Sequence, residues 1–213
     1  MSDLIDLKSH PVDMALNVLL KDRTTEKNII FATDAYDNID FTTAITKKLL
    51  LSDSLDIRPR VSKSLEEQTR RTRKKAEVFT PAWICNKMNN HCDAEWFVRE
   101  NVFNTEQDHD WIPTREKIGF PEGKSWKDYV ISKRLEITCG EAPYLVSRYD
   151  AATGEMIPIE KRIGLLDRKL RVINENVKTH KSWNQWVYRA FESVYGYEYQ
   201  GDNLLIARIN LLE

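Results

Sequence analysis

The clearest structural pattern in the sequence is residues 195–212, which read Tyr-Gly-Tyr-Glu-Tyr-Gln-Gly-Asp-Asn-Leu-Leu-Ile-Ala-Arg-Ile-Asn-Leu-Leu. The pattern predicts a short strand that ends at Glu198, followed by a turn and an amphipathic helix. In a nucleotide-binding α/β fold, a carboxylate at such a strand end accepts hydrogen bonds from the ribose hydroxyls of a bound cofactor. Glu198 is therefore a candidate cofactor-binding residue.

A second strand–turn–helix pattern lies upstream, in Leu-Glu-Ile-Thr-Cys-Gly-Glu-Ala at residues 135–142. Small residues follow the strand at the place where a backbone must approach a cofactor closely. Gly140 is suited to that turn because glycine adopts conformations that other residues resist. We take Glu136, Thr138, Cys139 and Gly140 as candidate cofactor-binding residues, although an ordinary strand–loop–helix would show a similar pattern.

A third segment, Glu-Val-Phe-Thr-Pro at residues 77–81, precedes both. It predicts a helix with Thr80 as its N-cap and Pro81 at the first helical position. A hydroxyl at a helix N-terminus, where free N–H groups favour anions, is suited to bind a cofactor carboxylate. Thr80 and Pro81 therefore join the candidate site, with a plain helix cap as the alternative.

Taken in order, these segments resemble the adenine-N6-specific DNA methyltransferases of restriction–modification systems. Residues 136–142 are similar to the family's first motif, Asp-Pro-x-Cys-Gly-x-Gly, with Glu136, Ile137 and Ala142 as replacements. Glu198 and the helix Ala-Arg-Ile-Asn-Leu at 207–211 are similar to its second motif. The Glu-Val-Phe-Thr-Pro segment is similar to one that caps the methionine end of the cofactor. The resemblance covers residues 70–213.

The resemblance implies an α/β fold: a helical N-terminal region at 1–70 and a partial Rossmann-like methyltransferase core at 71–213. An insertion at about 147–193 would carry a hairpin and a Trp-containing helix. The implied cofactor is S-adenosylmethionine, with Thr80 and Pro81 bordering its methionine end. Residues 136–140 would cradle its amino group, and Glu198 would hold its ribose.

The family's catalytic turn, Asn/Asp-Pro-Pro-Tyr/Phe, has no counterpart in this sequence, which contains no Pro-Pro pair. We therefore expect the S-adenosylmethionine-binding portion of such an enzyme, truncated before that motif and unable to methylate DNA alone. The alternative is a non-enzymatic relative that binds DNA or a nucleic-acid enzyme, such as a mobile-element inhibitor of a host defence system. In either case a protein partner is a candidate to cover the open edge of the sheet.

Charge and hydropathy set the expected environment. The 213 residues carry a net charge of −1, and no apolar run reaches the roughly 18 residues of a membrane span. Three cysteines without framework spacing are typical of a reducing compartment, so we expect a cytoplasmic protein without a membrane partner. A basic run predicts contacts with DNA phosphates, with a solvated helix face as the alternative. Its candidate residues are Arg70, Arg71, Arg73, Lys74 and Lys75.

Three other sequence patterns give only weak indications of a functional site. Cys85 and Cys92 share a helix face with His91 nearby, but no further ligand pair completes a metal site, so a structural helix is favoured. Glu-Gly-Lys at 122–124 fits a magnesium nuclease only loosely. Trp183 and Trp186 lie at helical spacing, which favours packing over base stacking.

The remaining periodicity predicts the other elements. Helices are expected from His10-Pro11, over 42–51 and over 64–73, with a strand or extended connector at 28–33. Residues 101–127 read as a loop ending in a short helix at 125–130, and residues 147–162 read as a hairpin or an extended excursion with an Asp/Gly turn. A long helical pattern runs over 163–193.

Overall fold

The computed structural model describes residues 4–36, 38–52, 55–75 and 77–213. It is a mixed α/β structure that divides into two compact units. Unit 1 comprises residues up to Phe79, Thr138–Glu141 and Glu198–Glu213. Unit 2 comprises Thr80–Ile137 and Ala142–Tyr197. The predicted division at residue 70 and the predicted insertion stay predictions.

Eight α-helices and two short sheets form within the described part of the chain. The helices are α1 Val12–Leu19, α2 Lys47–Leu50, α3 Leu65–Lys75, α4 Ala82–Phe97, α5 Trp126–Ile131, α6 Leu165–Asn176, α7 His180–Phe191 and α8 Gly201–Leu212. The strands are β1 Asn104–Gln107, β2 Asp110–Pro113, β3 Arg134–Ile137 and β4 Val194–Tyr197.

The core of unit 1 forms where α1 packs against α8. Its fully buried side chains include Leu16, Phe31, Ile45, Leu205 and Ile209. Gly201 begins α8 against the backbone of residue 30, where a Cβ would come within 1.9 Å of a carbonyl oxygen. Only glycine therefore allows α8 to begin at this position.

The helix predicted over 42–51 is wrong in extent, because only α2 is helical. The Phe31 N–H donates to the carbonyl of Thr43, and the Ile45 N–H donates to that of Ile29. These bonds hold residues 43–45 extended beside residues 29–31. Of the two alternatives predicted for residues 28–33, a strand or an extended connector, the structure has the extended connector, with isolated β-bridges. Helix α2 begins only after Thr46, whose side chain accepts the Leu49 N–H.

In unit 2, β3 and β4 pair in parallel, with Glu136 opposite Gly196 and Ile137 opposite Tyr197. Helices α6 and α7 lie between the two strands in the sequence and pack against each other. Both strands were predicted, and the sequence order is that of a β–α–β crossover. The long helical pattern is two helices, because Val177 is extended and Thr179 caps α7.

One other prediction in unit 2 is wrong. Residues 104–113, predicted as loop, form the antiparallel hairpin β1–β2. Strand β1 is wholly polar, and in β2 buried Trp111 is followed directly by exposed Ile112, so neither strand shows the apolar alternation by which a strand is recognised. Residues 147–162 form the second predicted alternative, an extended excursion with a turn, in which Tyr149 and Met156 make an isolated antiparallel bridge. The Asp150 side chain accepts the N–H groups of residues 152 and 153, which closes the turn.

Lys169 of α6 is fully buried in unit 2, and its ammonium donates to the Ser132 carbonyl and the Ser193 hydroxyl. Burial, together with the positive charge of Arg134, lowers the pKa of Lys169 from 10.5 to about 7. Because the unfolded chain then binds more protons than the folded one between these values, stability rises with pH across that interval.

We therefore expect the free energy of unfolding to rise from about pH 7 to about pH 9 by about 2 kcal/mol more in the wild type than in Lys169→Met. Urea unfolding at several pH values measures the difference. Lys133→Met, at an exposed lysine of the same unit, is the control and should follow the wild type. Parallel curves for wild type and Lys169→Met would contradict the assignment.

Candidate cofactor site

Unit 1 brings Glu198 into contact with the glycine of the second segment. The Gly140 N–H donates to Glu198 Oε2 at 2.8 Å, and the Gln200 N–H donates to Oε1 at 2.9 Å. Gly140 has a φ of +54°, in the left-handed region that glycine adopts without strain. Two segments that lie 58 residues apart in sequence therefore meet through a charge-assisted hydrogen bond.

The third segment reaches the same part of unit 1 through Phe79. A Cβ placed on Gly140 would lie 3.1 Å from the Phe79 ring, so the ring packs directly over the glycine. The guanidinium carbon of Arg60 lies 5.6 Å from the centre of the same ring. Phe79 was not among the predicted site residues, although it stands in the centre of the Glu-Val-Phe-Thr-Pro segment.

Glu77 anchors that segment within unit 1. Its Oε2 atom accepts the Nε–H of Arg71 at 2.7 Å, together with the side-chain amides of Gln200 and Asn203 at 3.3 Å. Arg71 also donates to Asp202 at 2.8 Å, and all five side chains are buried. Helix α8, which follows Glu198, therefore fixes the position of the Phe79 segment through this network.

Partly buried Tyr36 and buried Lys63 adjoin the network. The Tyr36 hydroxyl donates to Asp202 at 2.8 Å, and burial together with the charge of that carboxylate raises the pKa of Tyr36 well above 10. The ammonium of Lys63 lies 3.9 Å from the same carboxylate, and burial lowers the pKa of Lys63. Asp202 is thus the common partner of Tyr36, Lys63 and Arg71.

Thr138 and Cys139, two other predicted residues of the second segment, also lie in unit 1. Thr138 has a φ of +54°, like Gly140, and the Cys139 side chain is buried. Glu141, which follows, is buried and accepts the Arg60 N–H at 2.6 Å. The turn after β3 is therefore a tight backbone structure whose shape is held by side chains of unit 1.

Thr80, Pro81 and Glu136 belong to unit 2. The prediction that Thr80 caps α4 is wrong. Pro81 is the N-cap residue, and its side chain accepts no hydrogen bond from the N–H groups at the start of the helix. Asp150 supplies the missing acceptor, because its Oδ2 atom takes the Ala82 N–H at 2.8 Å. The Thr80 carbonyl instead accepts a weak hydrogen bond from the thiol of Cys85 at 3.6 Å.

Thr80 and Glu136 nevertheless lie near the same side chains of unit 2. Burial raises the pKa of the Cys85 thiol, and the negative charge of Glu136 raises it further. Burial also raises the pKa of Tyr144, whereas a hydrogen bond with Thr80 lowers it. The sequence showed no sign of this grouping, because Cys85 and Tyr144 lie outside the pattern that identified the candidate residues.

The structure departs from the predicted basic surface at Arg71. Arg70, Arg73 and Lys74 are exposed on α3, and Arg70 donates to the Ala35 carbonyl at 3.0 Å. Arg71 is only 1% exposed and its guanidinium is bound by Glu77 and Asp202, so it does not share that surface. The Lys75 side chain lies outside the described residues.

Within residues 4–36, 38–52, 55–75 and 77–213, no group of three or more His, Cys, Asp or Glu side chains is placed to hold a metal ion. Over the same ranges, no helix is both long and apolar enough to cross a bilayer. Comparison of the chain with models of known protein families, with curated proteins and with solved structures finds no match in any of the three.

Proposed function

We propose that this chain is the S-adenosylmethionine-binding portion of an adenine-N6-specific DNA methyltransferase. The hydrogen bond between the Gly140 N–H and the Glu198 carboxylate carries the proposal. The resemblance identified these two positions independently, as parts of two different motifs of one cofactor site. Their contact in unit 1 is what a shared ligand requires of them.

The chemistry of Glu198 fits a ribose. A carboxylate has about four lone-pair positions, and the two backbone N–H groups use only two of them. The other two lone-pair positions can accept hydrogen bonds from the two ribose hydroxyls. The bonds from the backbone N–H groups hold the carboxylate in one orientation. Parallel β3 and β4 with a helical crossover support a Rossmann-like core, since such folds bind nucleotides beyond the carboxyl ends of parallel strands.

The bound cofactor would supply an activated methyl group, and the residues of this chain would bind and orient it. In this proposal Glu198 holds the ribose, and residues 138–140 of the same unit cradle the methionine amino group. The roles expected of Thr80, Pro81 and Glu136 stay predictions. Gly140 contributes by its lack of a Cβ, since the Phe79 ring already fills the space beside it. Arg70, Arg73 and Lys74 are the proposed contacts to DNA phosphates.

Isothermal titration of S-adenosylmethionine into the wild type and Glu198→Gln tests the proposal. We expect the variant to bind roughly tenfold to a hundredfold more weakly, because the hydroxyls lose their charged acceptor. Glu192→Gln removes the same charge at an exposed position in unit 2 and should leave binding unchanged. A well-folded wild type that binds no S-adenosylmethionine, or equal losses in the two variants, would refute the assignment.

A second candidate is a non-enzymatic relative that acts by binding a protein or DNA. An exposed apolar face in unit 2 favours it: Leu135, Ile137, Tyr195 and Tyr197 alternate along β3 and β4 and are 42–69% exposed. Parallel sheets are ordinarily covered on both faces, so such a face is suited to a protein partner. A folded wild type without cofactor binding in the same titration is the result that this candidate predicts.

A further inference from the structure

Helices α5 and α7 place two tryptophans side by side in unit 2. The ring centres of Trp126 and Trp186 are 4.7 Å apart with their planes inclined by 63°, and both side chains are only partly buried. The Lys127 ammonium lies 5.8 and 5.5 Å from the two ring centres. The guanidinium carbon of Arg189 lies 5.5 Å from the ring centre of Trp186. We call these four side chains the Trp–cation surface.

The local charge around this surface is positive, although the whole chain has a net charge of −1. Residues 177–191 contain no Asp or Glu, and Arg189 is their cation beside the tryptophans; Glu192 follows at the C-cap of α7. On α5, Asp128 is occupied by the N-cap, where it accepts the N–H and hydroxyl of Ser125 at 2.7 and 2.6 Å. The cations beside the tryptophans therefore lie in a positive local field that favours an anionic ligand.

We propose that the Trp–cation surface binds single-stranded nucleic acid. An unpaired base would stack on a tryptophan ring, while Lys127 and Arg189 contact the phosphates on either side. Aromatic planes combined with neighbouring cations are the features by which proteins bind unpaired strands without reading their sequence. A peptide of Asp and Glu would use the cations alone and would leave the tryptophan rings without a stacking partner.

This inference is independent of the proposed cofactor site. All four residues of the Trp–cation surface belong to unit 2, whereas Gly140 and Glu198 belong to unit 1. The sequence favoured packing over base stacking for Trp186, and its partial exposure beside two cations is what supports a binding role. Failure of cofactor binding would therefore leave this proposal standing, and its own test uses no cofactor.

The test is the anisotropy of a fluorescein-labelled oligothymidylate titrated with the wild-type chain at low salt. We expect saturable binding that Trp186→Leu weakens roughly tenfold, the scale of one stacked base. Tyr188→Leu and Lys181→Ala are matched controls on the same helix. Tyr188 lies about 200° and Lys181 about 220° around the helix axis from Trp186, on the far side of the helix, so both variants should bind like the wild type.

Arg189→Gln, at an exposed position, keeps the test valid if Trp186→Leu proves unfolded by circular dichroism. It should weaken binding severalfold and reduce its salt dependence. Absence of oligothymidylate binding by the folded wild type would overturn the proposal, as would equal losses in the control variants. Displacement of the oligonucleotide by poly-glutamate as readily as by unlabelled oligothymidylate would also overturn it, in favour of an acidic protein partner.

Discussion

Replacing Arg71 with leucine is expected to lower the free energy of unfolding of unit 1 by about 3–5 kcal/mol. The Arg71 guanidinium binds Glu77 at 2.7 Å and Asp202 at 2.8 Å, and all three side chains are at most 3% exposed. Its removal leaves two carboxylates buried without their main cation. Burial already disfavours protonation of Lys63, so that amine is a poor substitute.

Urea unfolding followed by circular dichroism measures this loss, and Arg73→Leu is its control on the same helix. Arg73 is exposed, so its replacement should change stability by no more than about 0.5 kcal/mol. If α3 contacts DNA as proposed, Arg73→Leu should instead weaken DNA binding. An Arg71→Leu variant as stable as Arg73→Leu would show that the buried network contributes little.

The second large effect is expected in unit 2, where Arg168→Met should cost about 3–5 kcal/mol. The Arg168 Nη1 atom donates to Asp93 at 2.7 Å, and Nη2 donates to Asn86 at 2.9 Å and Asn90 at 2.8 Å. Methionine approximates the volume of the arginine stem but donates no hydrogen bond. Asp93 would keep Arg134 as its partner while losing the shorter of its two ion pairs.

Thermal unfolding with a probe in unit 2, such as the fluorescence of its tryptophans, measures the effect. Arg115→Met removes an exposed arginine of the same unit and should leave the melting temperature nearly unchanged. Asp93→Asn combined with Arg168→Met should recover part of the loss, because the buried charge is then removed together with its partner. An unaltered melting temperature in Arg168→Met would exclude a central role for this network.

The local sequence pattern was sufficient to predict the strands and the helix around the candidate site. Strand β3, strand β4 and α8 each have a periodicity that a short segment displays by itself. Glu198 and Gly140 could be selected for the same reason, because a strand end and a small-residue turn are local features. Their mutual contact at 2.8 Å could only be expected through the resemblance.

The local sequence pattern predicted the wrong structure where hydrogen bonds to residues distant in the sequence determine the backbone conformation. Residues 43–45 pair with residues 29–31 instead of extending α2, since backbone hydrogen bonds across the chain outweigh helix propensity there. The N-terminus of α4 uses Asp150, some 68 residues away, in place of the adjacent Thr80. The polar hairpin β1–β2 is held by its own ladder and by one buried tryptophan.

The amino-acid sequence by itself determined the mixed α/β class and the order of β3, β4 and α8, and it supplied the candidate residues of the proposed cofactor site. These properties depend on spacing between near neighbours, which the sequence contains in full. Only the tertiary structure decided that Arg71 is a buried anchor while Arg73, two residues away, faces solvent. Side-chain roles of that kind depend on which carboxylates, contributed by remote segments, are brought within hydrogen-bonding distance.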